Sequence, residues 1–578
     1  MDRATIERAV TLATTSGELV HNVLIAQGWI SERDYVAALA RHLGLSVARA
    51  DDLEPLTADP RRQPSLTVKS RNGGSRVAFV ATAFRPLELA SHADGSKPLL
   101  VTRAEAELAH LAVAGPLFLR RAIRALDGSD AQLSARLGAA AWQKLLLAIG
   151  LGMPLGAVLV APELVLGWAL AIVSIPFLCI VLLRGAALIE ILRPRSKIPS
   201  EPVWLDDASL PTYSILVPLY DEAAVLPRLV RSLSALDYPS EKIEILLVLE
   251  SSDRKTLAAA RMMELPGNVR TIVVPPGGPR TKPKALNFAL QLARGDLVVI
   301  YDAEDRPEPG QLRIAVAAFA SGGPDLACVQ ACLNIYNPRA GFLTRQFALE
   351  YTVLFDAVLP AIDRLGLPMP LGGTSNHFPA ALLRAVGGWD PYNVTEDADL
   401  GIRLARRGLR TATIQSTTWE EAPRAFGNWW RQRTRWLKGW MQTYLVHMRR
   451  PLRLLEDIGL VRWIGLQVIM GGILASALVH PVFWIVVAAD LGQGRIPFTA
   501  AQGGWSWLLW ICAINFVLGF AVSILVGVIA TIRRGRARLA PWALLMPLYW
   551  LLISAAGYRA AWQLVRRPFL WEKTRHGA

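Results

Sequence analysis

The chain has 578 residues, a length that is typical of three or four domains. Basic residues outnumber acidic residues by 62 to 47, a net charge of +15, but charged residues make up only 19% of the chain and hydrophobic residues 52%. An average soluble domain has about 25% charged residues, so this composition argues against a disordered chain, a coiled coil and an ordinary large soluble enzyme. It favours a membrane protein with substantial parts in water.

The positive charge is concentrated in two stretches. Residues 400–462 hold 13 basic and 4 acidic residues (+9), and residues 533–578 hold 9 and 1 (+8). A nucleic-acid-binding protein could be this basic, but both stretches flank long apolar runs, as the cytoplasmic edges of membrane spans do. We therefore expect the lipid bilayer, and no nucleic acid, as a partner. The four cysteines are too few for a disulfide framework.

Residues 1–125 precede the apolar runs and predict a small soluble α/β domain. Two helices joined by residues 28–31, with Ser31 as N-cap of the second, are followed by the strand-like stretches VAFVAT and LLVTRAEAE. This pattern is similar to the N-terminal domain of type II secretion ATPases, whose cyclic di-GMP-binding forms carry Arg-Leu-Gly and a later Gln. Here those places hold Leu19-Val20-His21 and His42. The resemblance implies a regulatory or docking domain, with cyclic di-GMP or a partner protein as its ligand, and both roles stay open.

An apolar run at residues 145–183 contains a single charge, Glu163, next to Pro162. The run is too long for one membrane span of about 20 residues and long enough for two. We therefore predict a two-helix transmembrane hairpin, residues 145–161 and 164–183, with its turn outside. Arg184 and three further basic residues are expected to hold the exit of the hairpin in the cytoplasm.

Residues 205–425 alternate short strands with helices. YSILVPL, IEILLVLE, VRTIVVP and DLVVIYDAED read as strands, and KALNFALQLARG reads as a helix that ends at a glycine cap. This βαβ alternation predicts a mostly parallel sheet that binds its ligand at the C-terminal ends of the strands. Acids lie at those ends: Glu250 after one strand, and Asp302, Glu304 and Asp305 after another.

Clustered carboxylates repel one another unless a cation or strong donors offset their charge. Hard oxygen ligands with a phosphate partner suit Mg²⁺ or Mn²⁺. A solvated acidic loop is the alternative interpretation of this cluster. The sequence contains no GxxxxGK[ST] motif, which argues against a P-loop ATPase.

Residues 426–558 return to the membrane. The segment 426–460 contains NWWRQRTRWLKGW and predicts amphipathic helices at the membrane surface. Apolar runs follow at 464–489, 505–532 and 541–558, and they form the predicted C-terminal membrane region 464–558. The last run leaves two topologies open: a full span would put the basic tail 559–578 outside, against the charge rule, whereas an interfacial or re-entrant helix would keep it inside.

Four ordered motifs resemble the processive family-2 glycosyltransferases of the cellulose synthase and hyaluronan synthase type. They are VPLYDEAAVL with VLESSD, then YDAED, then TED at residues 395–397, and finally QRTRW at residues 432–436. Each motif alone is common, but all four occur in order between apolar runs. The resemblance covers about residues 211–451. It implies a GT-A type nucleotide-sugar-binding domain, with a Rossmann-like sheet, inserted between transmembrane helices.

The resemblance also implies a role for each matching position. Asp397 matches the catalytic base, and Asp302 and Glu304 match the metal-binding acids, with Asp305 as a further candidate. The positions that match the binding site of the nucleotide-sugar donor are Tyr220, Glu222, Glu250, Lys282, Asp302, Gln432 and Arg435. The positions that match the acceptor site are Gly373, Thr374, Ser375, Glu396 and Trp436. Glu250 and Glu304 stand where the family usually has Asp, and His377 has no assigned role.

The chemistry of these residue types agrees with the implied roles. A nucleotide-sugar leaves as a diphosphate, whose developing charge must be offset by cations. Arg435 can grip a phosphate with two parallel bonds, and Trp436 offers the flat apolar face that sugar C–H groups need. One carboxylate base, Asp397, with no second nucleophile favours a single displacement that inverts the anomeric centre. Residues 395–406 also read simply as a helix with Thr395 as its N-cap.

We therefore expect a multi-pass protein of a bacterial inner membrane with a cytoplasmic catalytic domain. Its expected activity is that of a metal-dependent inverting hexosyltransferase that extends a β-linked polysaccharide from a UDP-linked donor and passes the chain across the membrane. Two alternatives stay open. One is a single addition to a lipid-linked or glycolipid acceptor, and the other is a nucleotide-sensing scaffold with a degenerate catalytic site.

Overall fold

The structure, a computed structural model, describes residues 1–53, 65–69, 75–91, 98–160, 162–193, 205–494, 506–570 and 572. The N-terminal region contains five helices in these ranges: α1 (Arg3–Ser16), α2 (Val20–Ala26), α3 (Glu32–Leu43), α4 (Pro86–Ser91) and α5 (Arg103–Asp130). Its strands are β1 (Ser46–Val47), β2 (Ser65–Lys69), β3 (Ser75–Val80) and β4 (Leu99–Val101), which pair in the order β1-β4-β3-β2.

Local capping explains where the N-terminal helices start. Ser31 Oγ accepts the amide of Asp34 at 3.1 Å, so the predicted cap of α3 is confirmed. The stretch LLVTRAEAE is a strand only as far as Val101, because Thr102 caps α5 by accepting the amide of Glu105. α5 then continues through residue 125, so the predicted domain boundary falls inside a helix. His21 is buried and stacks on Tyr35, whereas His42 is exposed; the nucleotide-binding role of this region stays a prediction.

The predicted membrane hairpin coincides with two long helices, α6 (Ala141–Val160) and α7 (Pro162–Leu192). The side chains of residues 151–173 lie outside the described part of the structure, so the hairpin stays a prediction as a membrane element. Near its C-terminal end α7 packs against helices from the other end of the chain, and Ala187 and Ile191 are buried there.

The central region, residues 205–425, is built on eight strands: β5 (Tyr213–Leu219), β6 (Ile243–Glu250), β7 (Val269–Val274), β8 (Leu297–Ile300), β9 (Arg306–Pro307), β10 (Leu326–Ile335), β11 (Asn376–Pro379) and β12 (Arg410–Glu420). Their order in the sheet is β7-β6-β5-β8-β11-β10-β12-β9. Neighbours from β7 to β8 are parallel, as are β10 and β12, whereas β11 is antiparallel to both of its neighbours and β9 is antiparallel to β12. The predicted mostly parallel α/β sheet is confirmed.

Nine helices accompany these strands in the described residues: α8 (Leu226–Leu233), α9 (Arg254–Met262), α10 (Lys282–Leu290), α11 (Gln311–Gly322), α12 (Phe342–Val353), α13 (Leu359–Arg364), α14 (Ala380–Ala385), α15 (Glu396–Arg406) and α16 (Phe426–His447). A π-helical turn, Leu354–Val358, joins α12 to α13. One predicted cap is wrong, because α10 ends at Leu290 with Gln291, not a glycine, as its C-cap. Thr395 is the N-cap residue of α15 as predicted, but its side chain makes no cap bond, and its hydroxyl contacts Asn393 Oδ1.

Both faces of the sheet are covered, which explains why its central strands are continuous apolar runs. Every residue of β6 is buried. Successive β5 residues point to opposite faces, so Ile215 and Val217 belong to one core and Leu216 to the other. The core around Leu216 also contains Phe118 of α5, so part of the N-terminal region packs with the eight-stranded sheet.

The C-terminal region contains α17 (Pro451–Leu466), a π-helical turn (Gln467–Gly472), α18 (Ile473–Gly492), α19 (Ser506–Arg533) and α20 (Met546–Arg566). Among the residues searched, three helical stretches are long and apolar enough to cross a membrane: Pro451–Gly492, Trp510–Arg533 and Ala537–Arg566. They coincide with the three predicted C-terminal runs. α16 lies between α15 on one side and α18 and α20 on the other, and Trp429 on it is fully buried.

Candidate active site

A cavity of about 400 Å³ opens at the C-terminal ends of β5, β6 and β8. Parallel strands bring the residues that follow them to one sheet edge, which is why distant parts of the sequence meet here. Of the sequence-predicted residues, the cavity is lined by Tyr220, Glu222, Glu250, Lys282, Asp302, Glu304, Gly373, Thr374, Glu396, Asp397, Gln432, Arg435 and Trp436. The structure therefore brings the four sequence motifs together.

Ser375 is the predicted residue that the structure does not place in the cavity wall. It is fully buried, and its hydroxyl lies 2.7 Å from Thr418 Oγ1 while its amide donates to Ile300 O. Its φ of 57° is in the left-handed region, where a non-glycine residue is strained. Ser375 thus shapes the turn between Gly373 and β11. The expectation that it faces the acceptor is not supported, because its side chain points into the sheet.

Lys282, the first residue of α10, reaches across the cavity. Its ammonium lies 2.6 Å from Asp302 Oδ1 and donates to Gly373 O at 2.7 Å. Burial lowers the pKa of Lys282, but the carboxylates of Asp302, Glu396 and Asp397 outweigh burial and raise this pKa above its ordinary value. Lys282 is therefore a permanent cation at the centre of an acidic site, and it can receive the phosphates of a ligand.

A second basic residue of α10 supports the nucleotide end of the cavity. Lys284 is fully buried, and its ammonium lies 2.8 Å from Glu250 Oε1 and 3.1 Å from Gly277 O. Burial raises the pKa of Glu250 above its ordinary value, because the opposing hydrogen bond and charge of Lys284 offset only part of this effect. The partner of Glu250 was not predicted, although KPKALN contains both lysines at the start of one helix.

The acids after β8 divide into two groups. Asp302 and Glu304 line the cavity, whereas the Asp305 carboxylate is buried behind them and accepts hydrogen bonds from the Asp302 amide and the Thr374 hydroxyl. Burial, with repulsion from Glu420, Asp302 and Glu304, raises the pKa of Asp305 well above its usual range. Both hydrogen bonds go to Asp305 Oδ2 and hold the loop in shape, whereas Oδ1 is buried without a hydrogen-bond partner in the described structure. Asp305 is not part of the cavity wall, and its role as a further metal ligand stays a prediction.

Glu420, at the end of β12, is a further carboxylate in the cavity wall. It makes a side-chain hydrogen bond with Tyr351, and burial together with Glu304 and Asp302 raises its pKa well above the usual value. Sequence reasoning missed it, although TTWEEAP again places acids at a strand end. Its position explains why the site concentrates negative charge.

The carboxylates fit a divalent cation. Repulsion among buried acids at this edge would be relieved by a cation beside Asp302 and Glu304. In the searched part of the chain, no group of three or more His, Cys, Asp or Glu side chains could hold a metal ion alone. Mg²⁺ is commonly bound by one or two carboxylates together with substrate phosphates. The two cavity acids, Asp302 and Glu304, would therefore be enough ligands from the protein.

Asp397 and Glu396 start α15 at the opposite wall of the cavity. Asp397 Oδ1 accepts the amide of Ala398 at 2.7 Å, and Gly373 is so close that a Cβ there would lie 3.1 Å from Asp397 Oδ2. Burial raises the pKa of Asp397 above its ordinary value, although the hydrogen bond from Ala398 and the charge of Lys282 lower it in part. Burial and the Asp397 charge raise the pKa of Glu396 to about 7. A buried carboxylate with a raised pKa is suited to accepting a proton.

Three residues of the QRTRW motif line the cavity from α16: Gln432, Arg435 and Trp436. Its other arginine, Arg433, has a different role that the sequence did not reveal. The Arg433 guanidinium donates to Glu350 Oε1 at 2.6 Å and lies 4.7 Å from the ring centre of Trp436 and 4.4 Å from that of Phe347. Arg433 therefore packs against the Trp436 ring by a cation–π contact, which helps to hold the ring in place.

A second cavity, of about 350 Å³, begins where the first one ends. The two cavities share Gly373, Asp397, Trp436 and three neighbouring wall residues. The far walls come from α7, α18, α19 and α20 and include Leu183, Arg184, Ser476, His480, Ser523, Trp550 and Ser554. The end of the first cavity at Asp397 and Trp436 thus opens directly onto a largely apolar space between the apolar helices.

His377, which the sequence left without a role, lies outside both cavities. It is fully buried in β11, its Nδ1 lies 3.0 Å from Tyr213 Oη, and burial lowers its pKa to about 3. It is a neutral structural residue of the sheet.

The fold and the cavity define the class: a GT-A type α/β domain with acids at the strand ends, basic residues opposite them and apolar helices beside it. Comparison with known sequences agrees. Residues 211–439 match the family described as "Glycosyltransferase like family 2". By this match, residues 211–439 are similar to family-2 glycosyltransferase domains.

Two curated relatives cover the same segment. A β-monoglucosyldiacylglycerol synthase of Synechocystis is 29% identical over 276 residues, which are 46% of this chain and 57% of the relative. The cellulose synthase 1 catalytic subunit of Komagataeibacter xylinus is 26% identical over 247 residues, 41% of this chain and 32% of the relative. The chain thus spans about half, or less, of the length of these relatives.

One solved structure with a similar fold is the mannosyltransferase PcManGT of Pyrobaculum calidifontis, in complex with GDP-Man and Mn²⁺. It is 21% identical, with a TM-score of 0.43, and the match covers 69% of this chain and 97% of that one.

Proposed function

We propose that this protein transfers a sugar from a nucleotide-sugar, most simply a UDP-linked one, to the end of a β-linked polysaccharide. One observation carries the proposal: a single cavity is lined by the strand-end acids, Lys282, Asp397, Arg435 and Trp436, and it continues into a space between apolar helices. Cations for a diphosphate, a base for a hydroxyl and an aromatic platform for a sugar are the groups that glycosyl transfer requires.

The donor lies along the first cavity in this proposal. Tyr220, Glu222 and Glu250 hold the nucleoside, while Lys282, Gln432 and Arg435 hold the diphosphate. Asp302 and Glu304 would hold Mg²⁺ or Mn²⁺, which would neutralise part of the charge on the leaving diphosphate. When the phosphates arrive, Lys282 exchanges part of its contact with Asp302 for contact with them.

The acceptor lies at the junction of the two cavities. Trp436 stacks on its terminal sugar, with Gly373, Thr374 and Glu396 beside it, and Asp397 removes the proton from its hydroxyl. The hydroxyl oxygen bonds to the anomeric carbon as the bond from that carbon to the diphosphate breaks, so the configuration inverts. Because burial raises the pKa of Asp397, its ionised form is a stronger base than an exposed carboxylate.

The second cavity then receives the product. It is enclosed by α7, α18, α19 and α20, and the three stretches long enough to span a membrane lie on its walls. This supports a multi-pass protein of a bacterial inner membrane, with the catalytic domain on the cytoplasmic side, that passes its polymer across the bilayer.

A lipid acceptor is the second candidate, and a specific observation favours it. The surface of the second cavity as a whole is mostly apolar, which suits an acyl or isoprenoid chain better than a hydrated glycan. The Synechocystis relative is named for synthesis of a glucosyl lipid. In this case the protein adds one sugar to a lipid or glycolipid headgroup at the same Asp397.

The test is a panel of nucleotide-sugars with Mn²⁺ or Mg²⁺, given to the full chain in lipid vesicles. The readouts are released nucleoside diphosphate and product size. We expect turnover of one donor and a polymer. A product limited to one sugar on a lipid would support the second candidate, and nucleotide binding without any turnover would overturn both and leave a nucleotide-sensing scaffold.

A further inference from the structure

Helix α5 belongs to the N-terminal region in sequence but to the catalytic domain in its packing. Phe118 and Ala122 are buried in the same core as Phe288 of α10, and the rings of Phe118 and Phe288 meet edge to face with centroids 6.5 Å apart. Gln291 Nε2 donates to Phe118 O at 2.9 Å. α5 thus lies directly against the helix whose first residue, Lys282, reaches into the cavity.

α5 also supports the segment that leads into α10. A Cβ on Gly277 would lie 2.8 Å from Leu119 Cδ2, so the segment runs in close contact with α5 at this point. The segment continues to Arg280 and Lys282, both in the cavity wall. A displacement of α5 would therefore move the basic residues of the proposed diphosphate site.

The same region supports a second segment, residues 387–397, which leads to Asp397. Gly387 has a φ of 83°, and a Cβ on it would lie 3.5 Å from Leu126 Cα of α5. Just after α5, Ser134 Oγ donates to Asp390 Oδ1 at 3.1 Å and the Ala135 amide donates to Asp390 Oδ2 at 2.5 Å. The N-terminal region therefore contacts both segments that enter the active site.

Asn287 joins these three parts. Its Nδ2 donates to Ala122 O of α5 at 3.0 Å and to Trp389 O at 2.7 Å, and its Oδ1 accepts the Trp389 amide at 2.9 Å. The side chain is 4% exposed, so water cannot replace these bonds. A Cβ on the neighbouring Gly388 would lie 2.3 Å from Asn287 Oδ1, so the segment fits tightly around the amide.

A buried amide with satisfied hydrogen bonds can be purely structural. Here, however, the two segments that it joins carry the two groups whose separation decides the reaction: Lys282, on the diphosphate side, and Asp397, on the acceptor side. An error of about 1 Å in such a separation can cost about 10²-fold in rate.

We propose that Asn287 is a positioning residue through which α5 sets the placement of Lys282 relative to Asp397. The N-terminal region thereby controls the rate of sugar transfer. This rests on the proposed function, since it concerns the same two groups. It also gives the N-terminal region a role that needs no ligand of its own: whatever moves α5 changes the geometry of the site.

The test compares two isosteric changes in the full chain, one on α10 and one at its C-cap. Asn287→Asp keeps the acceptor for the Trp389 amide but sets a carboxylate oxygen against the carbonyls of Ala122 and Trp389. Gln291→Glu, the matched control, also loses a donor to α5 and also adds a carboxylate, but it does not touch residues 387–397. The readouts are kcat and KM for the donor, thermal unfolding, and hydrogen exchange of the amides of residues 275–284 and 387–397.

For Asn287→Asp we expect kcat to fall by about 10- to 100-fold with a smaller change in KM, and exchange to become faster in both segments. For Gln291→Glu we expect both quantities to stay within about twofold, since the link to the second segment is intact. Equal losses in the two variants would mean that the interface is merely structural and would overturn the proposal. So would unchanged exchange and kcat in Asn287→Asp.

Hydrogen exchange separates this proposal from the proposed function, because it needs no donor turnover. If no nucleotide-sugar is turned over but exchange changes as expected, the proposed function fails and the coupling through Asn287 stands. If Asn287→Asp does not fold, Leu119→Ala removes the contact with Gly277 from the α5 side. Faster exchange in residues 275–284 is then expected, and unchanged exchange there would overturn the proposal.

Discussion

The two cavities of this protein meet at Asp397 and Trp436 but differ in their walls. The first is bounded by strand ends and contains carboxylates and basic side chains on opposite sides. The second is bounded mainly by helices and is mostly apolar, with Arg184 and His480 among its wall residues. In the proposed function this difference separates two tasks: the first cavity holds the groups that change covalent bonds, and the second accommodates a product or an acceptor. Substitutions in the first cavity should therefore change the rate of turnover, and substitutions in the second cavity should change the length or type of the product.

The largest effect is expected at the junction. Asp397→Asn removes the proposed base while keeping the size of the side chain, and turnover should fall by about 10²- to 10⁴-fold. Binding of UDP or GDP with Mn²⁺, measured by calorimetry, should change little, because the proposed function puts Asp397 on the acceptor side. Turnover within twofold of the unchanged protein would show that the base is another residue.

Arg435→Lys should have the next largest effect, because Lys cannot make the paired hydrogen bonds that a guanidinium gives to a phosphate. We expect kcat/KM for the donor to fall by about 10- to 100-fold, the equivalent of one or two charge-assisted hydrogen bonds. Arg433→Lys on the same helix is the control: it loosens Trp436, so it should raise the KM of the acceptor and leave UDP or GDP affinity unchanged. The reverse pattern would exchange the roles of the two arginines.

A change confined to the second cavity should affect product rather than turnover. Ser476→Phe fills part of the space between α18 and its neighbours, and the mean product length, measured by size-exclusion chromatography, should fall severalfold. Ala475→Phe is the matched control, since Ala475 is next in sequence but is not among the wall residues. Equal product lengths in the two variants, with both proteins folded, would contradict the separate role of the second cavity.

The smallest effect concerns stability and pH. Burial and the Asp397 charge raise the pKa of Glu396 to about 7 in the folded protein, above the usual Glu value of about 4.3 in an unfolded chain. Between these values the folded state binds more protons, so this group stabilises the protein at low pH and loses that contribution as pH rises through 7. The Tm of the unliganded protein should therefore fall between about pH 4 and about pH 7. Glu396→Gln should flatten that part of the profile, and an unchanged profile would contradict the raised pKa.

Much of this site could be predicted, because the residues that form it directly follow strands. Central strands that are buried on both faces are continuous apolar runs, so the sequence shows where such strands end. Glu250 and Asp302 could therefore be assigned to strand ends. The TED and QRTRW motifs placed Asp397, Arg435 and Trp436 in the same cavity.

The rest depends on contacts between distant parts of the chain. The separate role of Arg433 depends on Glu350 and Phe347, which lie on another helix. The inward turn of Ser375 depends on its left-handed backbone, and the docking of α5 depends on carbonyl groups that any sequence possesses. Glu420 was the exception: it lies at a strand end and could have been found by the rule that found Asp302.

The most direct test of the central claim asks where the product goes. The full chain is placed in sealed vesicles with its active site outward, and donor and Mn²⁺ are added outside. We expect a polymer that a glycan-degrading enzyme, added outside, cannot digest until detergent opens the vesicles. Polymer that is digested without detergent, or a product that stays short and extracts with the lipid, would contradict the claim that the two cavities form one path.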